Sequence, residues 1–474
     1  MVTAFNSTPL PDESVSNDAP PEDRSLTIAP EEYGLLTDLY QLTMAACYAG
    51  EGLDRRKAHF EVFVRHLPPR FGYLIAMGLA QVVDYLQNLR FSDEQIAALQ
   101  ATGIFESVSD RFWSLLAAAR FTGNLWAVPE GTAVFANEPL LRVEAPLWQA
   151  QLVETYILNT LNYQTLIATR AARMRDVAGS RAILMEFGTR RAFSPQAAIW
   201  AARAALAAGF DSTSNVLAAF KLGRKPTGTM AHALVMALGA IEGSEARAFS
   251  AFHHYFPGAP LLIDTYDTIA AARGLAARLE AGEMQLHGVR IDSGDLAVLS
   301  REVRSLLPEV PIFASGDLDE WEIGRLQAEG ACIDGYGIGT RLVAGDAIGG
   351  VYKLVEIDGI PVMKASSGKV TYPGRKQIFR HVENGQIQSN RLGLADEAPE
   401  PGEQPLLELV VENGKLVSPP ETLEAIAKRT AFSVASLPPQ TRHLDRPTPL
   451  PVTLSAALQS LTQQTLSRSS GNSD

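Results

Sequence analysis

Five short segments of this 474-residue chain end on residues with chemistry to offer, four of them closing an apolar run. Gly228-Thr229-Met230-Ala231-His232 sets a lone histidine behind a Pro-Thr-Gly-Thr turn. Ile263-Asp264-Thr265-Tyr266-Asp267, Val289-Arg290-Ile291-Asp292-Ser293-Gly294-Asp295, Ala314-Ser315-Gly316-Asp317 and Tyr336-Gly337-Ile338-Gly339-Thr340 follow it. Strand alternation puts Arg290 and Asp292 on one side, where a carboxylate accepts hydrogen bonds from sugar hydroxyls and a guanidinium pairs with a carboxylate or phosphate. Glycine-rich turns such as those at Gly316, Gly337 and Gly339 let backbone amides approach a phosphate. Imidazole accepts a phosphoryl group when one ring nitrogen is free. Each signal also has a plain structural reading: a surface ion pair, ordinary turns and, the stronger one for His232 on residue chemistry alone, a buried core histidine. The series carries more than its members, because chemistry at the ends of successive strands is what a βα barrel presents at one face.

The elements that would hold such a series lie between about 150 and 350. Apolar runs of strand length, at 182–187, 261–264, 288–292, 311–314 and 333–338, alternate with Ala- and Leu-rich helical stretches. That alternation predicts an α/β fold with parallel strands joined by crossovers. A TIM-like βα barrel, regular or irregular, fits the strand ends; periodicity alone also admits an open doubly wound sheet. Gly209 reads as a helix C-cap and Ser212 or Thr213 as the next N-cap.

On either side come shorter strands. Phe60, Val62 and Val64 alternate as in a half-buried strand, 124–128 and 139–143 are strand-like, and a hairpin over 351–364 turns at Asp358-Gly359. A helix starts at Thr37 or Asp38 and ends near Gly50. The expected organisation is a disordered segment over 1–29, a small α/β domain built from 30–150 and 351–437, a barrel over 151–350 and a disordered tail over 438–474. Pro, Ser and acidic residues at both ends leave little apolar surface to offset ordering entropy.

Composition excludes several classes. A formal net charge of −12 disfavours nonspecific binding to nucleic acid or an anionic membrane. The longest apolar region, 196–210, is broken by Arg203 and too short to span a bilayer. Cys47 and Cys332, the two cysteines, make no disulfide framework, and with no leader-like start the expected location is the cytoplasm. His253-His254 and His59 with His66 lack the companions of a zinc site, so no protein-held metal is expected.

Taken together, the motifs resemble nicotinate phosphoribosyltransferase, the family that joins nicotinic acid to phosphoribosyl pyrophosphate. The likeness begins at Leu36-Thr37-Asp38-Leu39-Tyr40-Gln41 and runs through Glu186-Phe187-Gly188-Thr189-Arg190-Arg191 and Phe210-Asp211-Ser212-Thr213-Ser214-Asn215-Val216. It ends near Lys369-Val370-Thr371-Tyr372-Pro373-Gly374-Arg375-Lys376, leaving only the two ends unmatched.

The resemblance implies a reaction and a site. Asp292 would take the ribose hydroxyls and Arg290 would pair with a carboxylate or phosphate, with Asp264 among the substrate contacts. Gly316, Gly339 and Thr340 would take the 5-phosphate. Tyr40, Phe187, Arg190 and Thr229 would form the pyridine pocket, with Tyr40 reaching the site of the partner in a homodimer. His232 would be phosphorylated by ATP, the co-substrate, and Asp264, Asp267 and Glu242 are candidates to orient it. Mg²⁺ would arrive on the phosphates. Nicotinamide-specific relatives carry an Asp where Ser214 aligns here, and a carboxylate would repel nicotinate. Two rivals stay open: a nicotinamide or quinolinate enzyme, and a noncatalytic phosphosugar-binding barrel.

Overall fold

The computed structural model describes residues 28–366 and 369–471. The disorder expected over 1–29 thus falls, but for its last two positions, outside the described residues.

A seven-stranded antiparallel sheet joins the two ends of the chain. An inner strand, Lys57–Val64, lies between Pro139–Pro146 and Gly350–Ile357, and Asn124–Ala127 carries on from Pro139–Pro146 to Glu408–Glu412. The half-buried reading of Lys57–Val64 is corrected: every residue after Lys57 is buried, because both faces are covered. The polar side chains this traps are paired, Glu61 with Lys376 at 2.8 Å and Glu144 with Arg142 at 2.8 Å. Asp358 and Gly359 turn the late hairpin with φ of 46° and 77°, a pair of left-handed conformations that Asp and Gly tolerate.

The tail is also corrected. Val452–Leu454 adds to a second sheet, parallel to Gln386–Leu394, and the helix Ala456–Gly471 follows. Leu458 is fully buried against the small-domain core, so a few well-placed apolar side chains order a segment of polar composition.

From this domain the 25-residue helix Glu154–Ala178 leads into the barrel. It packs on Pro195–Ala207, whose Ala201, Ala204 and Ala205 present almost no side chain and let the axes approach closely. Six parallel strands follow: β1 Ile183–Glu186, β2 Ser212–Thr213, β3 Leu261–Leu262, β4 Val289–Ile291, β5 Ile312–Ser315 and β6 Gly335–Ile338, in the spatial order β2-β1-β6-β5-β4-β3. Among the described residues no ladder joins β2 to β3. Residues 227–230 bridge that gap: Thr227 N–H donates to Thr213 O at 2.9 Å, and the Thr229 hydroxyl to Pro260 O at 2.5 Å. The result is an irregular βα barrel.

Gly209, at φ 104°, follows its helix as expected. Ser212 and Thr213 do not cap; they form β2, and Asn215 caps the next helix by accepting from Ala218 N–H at 3.0 Å. Among the described residues no helix is long and apolar enough to cross a membrane.

Candidate active site

The carboxyl ends of β3, β4 and β5 converge on one polar network. Arg290, pointing inward from β4 and only 12% exposed at its side chain, donates to Asp292 Oδ1 at 3.2 Å, Ser315 Oγ at 3.1 Å and Met230 O at 2.9 Å. Burial pulls its guanidinium below its ordinary value, Asp292 and Asp264 oppose that, and nearby Arg190 adds to it. Asp292 Oδ1 also accepts from the Ser315 hydroxyl at 2.5 Å, while Oδ2 faces His232 Nε2 at 3.9 Å. Asp264 anchors the group, its Oδ2 accepting from Asp292 N–H at 2.9 Å and from the Ser293 hydroxyl at 2.6 Å. Its other oxygen is buried, lacks a hydrogen-bond partner among the described residues, and lies 4.0 Å from His232 Nε2. A buried carboxylate oxygen left so is costly unless a ligand or cation meets it.

His232 is therefore not a core residue. It opens the helix His232–Glu242 with its side chain 38% exposed, and its Nδ1 lies 3.1 Å from the Thr265 hydroxyl. Of the three carboxylates expected to orient it, only Asp264 is near. Asp267 instead caps the helix Thr268–Glu280 through Ile269 and Ala270 N–H, and Glu242 pairs with Arg247 at 3.3 Å.

The glycines earn their place by close approach. Gly316 has φ 97°, and a Cβ there would strike the Asp292 carbonyl. A Cβ on Gly337 would enter the Phe187 ring, which fills that space beside β6. Gly339 and Thr340 start the short helix Thr340–Val343.

At the ends of β1 and β2 a fully buried Glu186 holds the loop that carries Phe187 and Arg190. It accepts from the Gly188 N–H and from the Thr213 hydroxyl. Burial pushes its carboxyl up, against those two hydrogen bonds. Ser214 N–H and Oγ both donate to Glu186 O, at 2.9 and 3.2 Å. Asp211 sits at the other end of β2, tied to Arg175 at 2.5 Å and to Leu184 N–H at 2.7 Å. The position at the mouth is Ser214, and the nearby acid points elsewhere.

Two residues are not brought to the network. Thr229 spends its hydroxyl on Pro260 O, closing the barrel. Tyr40, nearly half exposed on the helix Leu39–Gly50, has Glu154, Asp38 and Gln41 as neighbours; burial first, then Glu154, pushes its phenol up to about 12. The same Glu154 faces Lys353, whose amine is pulled down by burial and by the adjacent Arg65 and Lys364. This cluster of three cations was missed in the sequence, since Arg65 and the two lysines are far apart there. Glu186 and Thr265 were missed too: neither a buried Glu nor a Thr hydroxyl has a spacing signature. Among the described residues no group of three His, Cys, Asp or Glu could hold a metal ion.

Against known proteins, residues 35–162 match the nicotinate phosphoribosyltransferase N-terminal domain, 183–388 the nicotinate phosphoribosyltransferase family and 402–462 its C-terminal domain. The nicotinate phosphoribosyltransferase pncB2 of Mycobacterium tuberculosis is 43% identical over 423 residues, covering 87% of this chain and 89% of the relative. That of Bacillus subtilis is 42% identical, covering 77% of each. The crystal structure of human nicotinic acid phosphoribosyltransferase superposes with a TM-score of 0.80 at 31% identity, covering 90% of this chain and 99% of that one. With the barrel, its strand-end network and these matches in agreement, the chain belongs to the nicotinate phosphoribosyltransferase family.

Proposed function

We propose that this site joins nicotinate to phosphoribosyl pyrophosphate, giving nicotinate mononucleotide and pyrophosphate for NAD synthesis in the cytoplasm, with ATP coupled through His232. The observation that carries the reading is the convergence of Arg290, Asp292, Asp264 and Ser315 beside an accessible His232. Breaking the C1–pyrophosphate bond builds positive charge on the sugar and negative charge on the leaving group. Asp292 takes the ribose hydroxyls, held in place by Arg290 and Ser315, so the sugar is oriented before the bond breaks. Gly316, Gly339 and Thr340 receive the 5-phosphate. Phe187 forms one wall for the pyridine ring, and Arg190 pairs with its carboxylate. Mg²⁺ travels on the substrates' phosphates and neutralises adjacent charge; Asp292, the more exposed carboxylate, is an oxygen donor suited to touch it.

Tyr40 serves the site of the partner subunit in a homodimer. Around Glu154 it shares a neighbourhood with Lys353, Arg65 and Lys364, three cations that repel one another and so favour an anionic visitor. A phosphoryl group on His232 would sit at the N-terminus of an eleven-residue helix, where negative charge is favoured.

The test is mononucleotide formation by the purified protein with nicotinate, nicotinamide and quinolinate, each with and without ATP. Nicotinate used preferentially and stimulated by ATP is the expected result. Equal use of nicotinamide, or no turnover with any of the three, would overturn the reading.

A further inference from the structure

We infer that Arg170 is a positioning residue for the 5-phosphate of the ribosyl substrate: from outside the barrel sheet it grips the short helix Thr340–Val343 by its carbonyls and so fixes Gly339 and Thr340. The inference rests on the proposed assignment of the 5-phosphate to those two residues, and it concerns what holds them in place.

A helix of four residues does not stand on its own hydrogen bonds. Here Val343 N–H donates to Gly339 O at 3.3 Å and Ala344 N–H to Thr340 O at 2.9 Å. The carbonyls that come after have no further turn to donate to them. Leu342 and Val343 are buried, so those carbonyls need partners from the protein. The helix Glu154–Ala178 supplies the donors. Arg170 Nη1 donates to Ala344 O at 2.5 Å and, more weakly, to Leu342 O at 3.4 Å, and the Tyr163 hydroxyl donates to Val343 O at 3.3 Å. Three consecutive carbonyls are thereby tied to two side chains that stand two turns apart on one helix.

The chain then passes directly beside the guanidinium. Gly345 has φ 139°, and a Cβ there would strike Arg170 Nη2. Burial pulls the guanidinium down, and the charges of Glu320 and Asp346 oppose that. The hydrogen bonds of Arg170 among the described residues all go to this segment. Losing them should therefore be felt at the 5-phosphate, where backbone amides and a hydroxyl must be placed to a fraction of an ångström, and not at the pyridine ring.

Calorimetric titration with ribose 5-phosphate, together with the KM of each substrate, reads this directly. Arg170→Met keeps much of the side chain's bulk and removes its donors. It should weaken ribose 5-phosphate and raise the KM for phosphoribosyl pyrophosphate about tenfold, with the KM for nicotinate at saturating cosubstrate within about twofold of wild type. Arg170→Lys, which can still reach one carbonyl, and Tyr163→Phe, which removes one tie and no charge, should each weaken ribose 5-phosphate only about threefold. A folded Arg170→Met protein that binds ribose 5-phosphate like wild type overturns the inference. So does one whose KM for nicotinate rises as far as its KM for phosphoribosyl pyrophosphate, the mark of general loosening. Should Arg170→Met fail to fold, wild-type affinity for ribose 5-phosphate in both Arg170→Lys and Tyr163→Phe overturns it instead. Thr340→Ala separates the two failures: unchanged affinity there removes the 5-phosphate assignment itself, whereas weakened affinity there with none lost in the Arg170 variants removes only the role of Arg170.

Discussion

The backbone N–H of Asp292 donates to Oδ2 of Asp264 at 2.9 Å, so the ends of two neighbouring barrel strands are locked together at the residues with the most chemistry to perform. The lock fixes the Asp292 carboxylate without using it up, and it leaves Asp264 Oδ1 free toward His232.

Asp292→Ala should lower kcat/KM for phosphoribosyl pyrophosphate by about 100-fold, the loss of a charge-assisted contact in a partly desolvated site. Thermal unfolding should change little, because Asp264 still holds the strand end through the residue 292 amide. Steady-state kinetics on a folded variant check this; near-wild-type turnover would reduce Asp292 to a turn residue.

Ser214→Asp should exchange substrates. It sets a carboxylate at the mouth beside Glu186 O, where Asp211, held by Arg175 at the far end of β2, is not. Nicotinate kcat/KM should fall at least about tenfold and nicotinamide use should rise, as a new repulsive element requires. Unchanged discrimination between the two pyridines would take position 214 out of the pocket.

Much of this was legible because the apolar runs that make barrel strands end directly on the residues they present, as in Val289 to Asp292. The tail was not legible. Its Ser, Thr and Gln content hides Leu458, whose burial against the small-domain core orders a helix. Nor does sequence reveal that Thr229 would be spent on the barrel seam, that Asp267 would cap a helix, or that Lys353, Arg65 and Lys364 would meet. These are tertiary encounters between segments far apart in the chain, and local pattern holds no record of them.

Glu186 gives a pH prediction. Burial raises its carboxyl above the ordinary 4.5, so above that pH the folded chain keeps a proton that the unfolded chain has released. The folded state then binds more protons, and stability falls as pH rises from 4.5 toward the folded value. Glu186→Gln, which carries no such proton, should flatten that part of the stability curve in denaturant titrations run across the window. An identical slope in the two proteins would show that Glu186 is ionised throughout.

Tyr40 and Asp292 should complement each other. If each site draws Tyr40 from one subunit and Asp292 from the other, mixing inactive Tyr40→Ala and Asp292→Ala chains restores about a quarter of wild-type activity, since half of randomly assorted dimers are mixed and each holds one intact site. Mixed dimers that form but stay inactive would confine Tyr40 to its own subunit or place it outside the site.

The central claim, that ATP energises transfer through His232, is tested most directly by the KM for phosphoribosyl pyrophosphate with and without ATP, in wild type and His232→Ala. In wild type ATP should lower that KM and be hydrolysed in step with mononucleotide formation. The folded variant should hydrolyse no ATP and show the same KM in its presence as in its absence, while still forming measurable mononucleotide at high substrate, because C1 transfer needs only the ribose and phosphate contacts. A folded His232→Ala protein that keeps the full ATP-dependent drop in KM would contradict the account.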